Sequence, residues 1–143
     1  MILLDAYALV ALVAEEPAAD EVEGLLRAGD ARVVVINLAE AVDVARRVHE
    51  YDPGDVRRAL EPLLIGGALE AVPSDEDIAW AAAELRSRHY DKKTCALSMA
   101  DCFLLAHAVA GEEIATSDPP LAHVAREEGI GVVTLPDSHG ARP

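Results

Sequence analysis

Four β-branched residues in succession, Val33, Val34, Val35 and Ile36, place the strongest constraint on what this chain can fold into. A strand with one wet face alternates apolar and polar residues. A run with no polar member suits a strand covered on both faces, as in a parallel sheet packed between helices.

The rest of the chain supplies matching elements in alternation. Met1 to Leu4 reads as a short apolar strand ending at Asp5, followed by a helix from Ala8 to Glu16 that stops at Pro17, and a second from Ala18 to Ala28 that ends near Gly29. After the strand Arg32 to Ile36, Asn37 caps a helix running to about His49, with Glu40 at its N3 position. Asp52 as cap and Pro53 at the first helical position open another helix lasting to Gly66 and Gly67. Ala68 to Val72 is a weak strand, and Ser74 caps a helix spanning Asp75 to Tyr90. Beyond the loop Asp91 to Leu97, a helix capped by Ser98 runs to near Gly111. Glu113 to Thr116 is a strand, Asp118 with Pro119 and Pro120 opens a helix to Glu128, and Ile130 to Leu135 is the last strand. Pro136 to Pro143 is expected to fray. Strands alternating with helices predict an α/β sandwich around a mainly parallel sheet, folded as one domain over residues 1–143.

In such a sheet, ligands bind beyond the carboxyl ends of the strands. That rule sets Asp5 (end of the first strand), Glu40 (just after the second), Asp118 (just after the fourth) and Asp101 (first turn of the Ser98 helix) along one rim. Each acid also has a structural role open to it: Glu40 in a capping box with Asn37, Asp101 in one with Ser98, Asp118 as an N-cap ahead of Pro119. Asp5 has no such role unless a helix begins at once. Four carboxylates on one rim repel. A pair about 4 Å apart costs about 1 kcal/mol in water and about 4 kcal/mol at an effective dielectric of 20, so either their pKa values rise or a cation gathers them. All-oxygen ligands point to Mg²⁺ or Mn²⁺, and such an ion activates water and holds a phosphodiester oxygen.

Charge and the other ligand types narrow the field. Twelve basic residues against 26 acidic ones leave a net charge of −14, which opposes nonspecific attraction to a phosphate backbone. A nucleic-acid role must therefore work through metal ions and a local basic patch, outlined by Arg86, Arg88, Lys92 and Lys93. Cys95 and Cys102 show no CxxC spacing and read as free thiols. The five histidines lack a zinc-binding spacing. No apolar run reaches the roughly 18 residues of a membrane span, and the start of the chain lacks a basic leader, so a cytoplasmic protein without membrane contact is expected.

The segments Leu3-Leu4-Asp5-Ala6-Tyr7-Ala8-Leu9-Val10, Asn37-Leu38-Ala39-Glu40, Leu97-Ser98-Met99-Ala100-Asp101-Cys102-Phe103-Leu104-Leu105-Ala106-His107-Ala108 and Ala115-Thr116-Ser117-Asp118 together resemble the PIN domain. Within that family the chain is most similar to the VapC-like toxins of type II toxin–antitoxin pairs, over nearly its whole length. The resemblance implies a three-layer α/β/α sandwich and a Mg²⁺- or Mn²⁺-dependent endoribonuclease. It further implies a homodimer whose groove is commonly occupied by a small antitoxin protein. By position, Asp5, Glu40, Asp101 and Asp118 match the family's acidic quartet, and Thr116 its frequent hydroxyl residue near the fourth acid. Tyr7 departs from the pattern, standing where the family often has Ser, Thr or Asn. A phenol is too long to replace a short hydroxyl, and it can instead pack in the core or line the groove.

Two other classes stand beside the hydrolase. One is a PIN-like domain kept for binding or scaffolding, suggested by Tyr7 and the charge. The other is a different acid-dependent phosphotransfer enzyme on a doubly wound sheet. A DxDx[TV] phosphatase motif is broken by Tyr7, a receiver-type acid pair by Leu4, and a glycine-rich phosphate loop is missing.

Overall fold

The computed structural model describes residues 1–109 and 111–143. Five strands, β1 (Ile2–Leu4), β2 (Ala31–Val34), β3 (Glu70–Val72), β4 (Glu113–Thr116) and β5 (Val132–Thr134), form one sheet in the order β3-β2-β1-β4-β5. Every pairing is parallel, and the apolar residues of the central strands are buried on both faces, as such a sheet favours. Seven helices accompany them among the described residues: α1 (Ala6–Val13), α2 (Ala19–Ala28), α3 (Val35–His49), α4 (Pro53–Ile65), α5 (Glu76–His89), α6 (Met99–Ala108) and α7 (Pro119–Glu127).

Successive strand residues point to opposite faces, and the core divides accordingly. Leu4, Val33 and Ala115 pack with residues of α1 to α4, whereas Leu3, Val34 and Ile114 pack with residues of α5 to α7. The result is the expected three-layer α/β/α sandwich. No helix among the described residues is long and apolar enough to cross a membrane.

The chain leaves β1 toward β2 and β3 on one side, then returns to place β4 and β5 on the other. Strand order therefore reverses between β1 and β4. A crevice opens beyond the carboxyl ends at such a point, because the connections on its two sides run away from each other.

Five local expectations are corrected. The run Val33 to Ile36 is not all strand: β2 ends at Val34, whose partner Val72 ends β3, and with no strand left to pair, Val35 and Ile36 begin α3. Asn37 is consequently buried inside that helix and does not cap it, and Glu40 lies beyond N3. α1 starts at Ala6, directly after β1, with Asp5 as its N-cap. Asp75, not Ser74, caps α5, its carboxylate accepting from the Ile78 N–H at 3.0 Å, while the Ser74 hydroxyl lies 3.0 Å from His107 Nε2. The tail is tied down. Asp137 accepts from the N–H groups of His139 and Ala141, and Arg142 reaches Glu21 at 2.6 Å.

Candidate functional site

The carboxyl ends of β1 and β4 carry two of the expected acids into the crevice. Asp5 follows β1 without a connecting residue, so one side chain both closes the strand and opens α1: the Ala8 N–H donates to Asp5 Oδ1 at 2.7 Å. Its other oxygen accepts from the Thr116 hydroxyl at the end of β4. Thr116 Oγ1 in turn accepts from the Asp118 N–H at 3.0 Å, and Asp118 caps α7 through the Leu121 N–H. One buried hydroxyl thus joins the first and fourth acids across the switch point.

α6 brings the third. Ser98 and Asp101 form a reciprocal capping box, with the Ser98 N–H donating to Asp101 Oδ2 at 2.7 Å and the Asp101 N–H to Ser98 Oγ at 3.0 Å. Glu40 arrives from α3, which packs against α6, and faces the Ser98 hydroxyl. Asp5, Glu40, Asp101 and Asp118 all line one cleft of about 200 Å³, together with Tyr7 and Ser98. Thr116 lies buried behind it.

The electrostatics follow from burial without a counter-charge. Asp5 is 3% exposed, and its pKa is pushed up to about 7, chiefly by burial and also by the charges of Asp101 and Asp118, against the opposing bonds from Thr116 and Ala8. Asp101 is raised to about 6, again by burial first, with Glu40 and Asp118 adding repulsion. Burial raises Glu40 too, with Ser98 and Arg47 pulling back. Among the described residues, none of the four forms an ion pair.

Helix capping and site membership are therefore not alternatives. Asp5, Asp101 and Asp118 each satisfy N–H groups at the start of a helix and face one cleft. Capping also explains why the acids surround the space instead of meeting at a point. Among the described residues, no group of three or more His, Cys, Asp or Glu side chains stands ready to hold a metal ion. Each acid retains free lone pairs, since a carboxylate offers about four acceptor positions, and the cleft is lined by oxygen donors without histidine or thiolate.

Ser98 was legible as a cap, but its approach to Glu40 depends on α3 meeting α6 and carries no local signal. Tyr7 lines the cleft as well as packing on the core. Its hydroxyl is buried without a partner among the described residues, and burial leads Glu16, Asp137 and Asp5 in pushing its pKa up to about 12.

The comparisons agree with this architecture. The family model of the PIN domain matches residues 2–132. No curated protein matches the chain. Among solved structures, a toxin–antitoxin complex from Klebsiella pneumoniae contains a chain 23% identical, with a TM-score of 0.60 over 94% of this chain and 97% of that one. FitAcB from Neisseria gonorrhoeae is 25% identical, with a TM-score of 0.61 over 92% of this chain and 96% of its own. With the match running from β1 to the first residue of β5 and including the segments that bear the four acids, the chain belongs to the PIN-domain family.

Proposed function

We propose that this protein is a Mg²⁺- or Mn²⁺-dependent endoribonuclease and the toxin member of a toxin–antitoxin pair, acting in the cytoplasm as a homodimer. The observation that carries the reading is the gathering of Asp5, Glu40, Asp101 and Asp118 from four separate parts of the chain around one cleft without a cation. Buried carboxylates left in that state are costly, and a divalent ion relieves them.

The donor set fits a hard cation: carboxylate oxygens, with no thiolate or imidazole lining the cleft. Asp5, Glu40, Asp101 and Asp118 would hold it. When bound, such an ion supplies Lewis-acid charge against a phosphoryl oxygen and lowers the pKa of water. The chain's own residues do the positioning. Thr116 fixes the rotamer of Asp5 and links it to Asp118, Ser98 fixes Asp101, and the helix N–H groups keep the three aspartates from swinging outward.

The partner reading rests on charge and kinship. A net charge of −14 concentrated partly at this rim favours a small protein that buries apolar surface and offers an arginine or lysine to the cleft. One structural relative is itself a toxin–antitoxin complex.

The test is cleavage of total RNA by purified protein with Mg²⁺ or Mn²⁺, compared with Asp101→Asn. Loss of cleavage in the variant supports the proposal, and an equally active variant overturns it. The second reading, a PIN domain retained for binding, draws on the phenol of Tyr7 at the cleft where a short hydroxyl is usual. Tight partner binding with no metal-dependent cleavage of any RNA would favour it.

A further inference from the structure

An acidic chain that acts on RNA must still hold a phosphate backbone, so its free cations are informative. Of the twelve lysines and arginines, seven form ion pairs with acids of the same chain. Arg86 donates to the Leu97 carbonyl at 2.6 Å and lies over the Tyr90 ring at 4.2 Å, and Arg126 reaches the Pro143 carbonyl. Arg46 lines a separate hollow with Glu50 and Asp52. Among the described residues, Arg46, Lys92 and Lys93 are exposed with no side-chain partner, and of these three the two lysines precede the segment that lines the acidic cleft.

Their placement is fixed. Asp91 and Cys95 pair in an antiparallel bridge, and the Asp91 carboxylate accepts from the N–H groups of Lys93 (2.8 Å) and Thr94 (2.9 Å). The two lysines occupy the tip of that closed turn. The next residue after the bridge, Ala96, lines the acidic cleft, and the charges of Asp118 and Asp101 are felt at Cys95. Glu40 and Val44 of α3 line the same cleft, and Arg47 follows one helical turn further along that face. Among the described residues Arg47 pairs only with Asp43, with both side chains more than half exposed, and its charge acts on Glu40. An exposed pair of this kind is worth little and is readily exchanged for another anion.

We infer that single-stranded RNA crosses the cleft with its backbone held on one side by Lys92 and Lys93 and on the other by Arg47. The inference rests on the hydrolase reading for the reaction, though not for the binding. A backbone clamp on both sides of the acids positions a phosphodiester over them, and its lack of base contacts leaves sequence choice to other groups.

The experiment measures binding of a labelled single-stranded RNA oligonucleotide across a salt series, in the Asp101→Asn protein so that the RNA stays intact. Cleavage of total RNA is measured in the otherwise native protein. Replacing Lys92 and Lys93 by alanine is expected to weaken binding about tenfold and to lower the slope of log affinity against log salt by about 1.4, or about 0.7 for each phosphate no longer neutralised. Arg47→Ala should remove a further ~0.7, and in the active protein these losses should fall on KM. Arg27→Ala, which removes one positive charge from the remote α2, is the control and should leave the slope unchanged. Lysine and Arg47 variants that bind like the parent overturn the inference, as does a parent protein that binds no RNA at any salt. Lysine-dependent binding without cleavage by the native protein supports the clamp while defeating the hydrolase.

Discussion

The two ends of the sheet treat charge in opposite ways. At the amino ends of the strands, Arg32 on β2 pairs with Glu112 at 2.6 Å and with Glu70 at 3.1 Å, so the acids before β4 and at the start of β3 share one guanidinium. At the carboxyl ends, four acids gather with no cation lining their cleft among the described residues, and N–H groups and hydroxyls compensate them, with Arg47 acting on Glu40 from outside the cleft lining. The first arrangement is self-sufficient. The second is incomplete, and its raised pKa values express that deficit, because a folded protein accommodates buried negative charge with a proton when nothing better is supplied.

The comparison is broken most severely by removing a charge from the incomplete end. Asp5→Asn keeps an oxygen for the Ala8 N–H, since asparagine caps helices as well as aspartate, so the fold should persist while RNA cleavage falls by about a thousandfold or more. Above pH 7 the metal-free variant should melt higher than the parent. Parallel loss of melting temperature and activity would mean that Asp5 serves the fold alone.

A pH series sharpens the same contrast. Asp5 and Asp101 hold protons to about pH 7 and about 6 in the folded chain, against an ordinary 3.8. The folded state therefore binds more protons than the unfolded one through this window, and stability falls as pH rises from about 4 to about 7. For Asp5 the loss is roughly 4 kcal/mol. Mn²⁺ should restore melting temperature more at pH 8 than at pH 5, and a metal effect independent of pH would contradict the assignment.

At the balanced end, Arg32→Met leaves Glu112, whose side chain is only 16% exposed, without its partner. A cost of about 2 kcal/mol, reduced from the fully buried case by solvent, should lower the melting temperature by about 6 °C. Cleavage per folded molecule should not change. The smallest effect is expected from Thr116→Val, which keeps the shape and removes the hydroxyl between Asp5 and Asp118. Metal affinity should fall about tenfold, measurable by Mn²⁺ titration.

Element succession, layers and the acid-bearing segments were legible because period and punctuation are local. Pro53 and Pro119 open helices, and Gly29 closes one with a positive φ of 76°. What escaped was decided by partners distant in sequence. Val35 and Ile36 have strand propensity, yet join α3 because β3 ends opposite Val34. The tail looked loose because its anchor, the Arg142–Glu21 pair, spans the length of the chain. For the site, Asp101 and Asp118 could be read as caps or as ligands, and their helices make the first reading true without excluding the second. Glu40 reaches the cleft by a route other than the expected capping box, since Asn37 is buried inside α3 and caps nothing.

The coincidence of cap and acid at Asp5, Asp101 and Asp118 bears on how such a protein changes over generations. Aspartate and asparagine codons differ by a single base, and either residue starts a helix. On the proposed function, a lineage under pressure to disarm this protein therefore has silencing substitutions within immediate reach that leave a folded molecule behind.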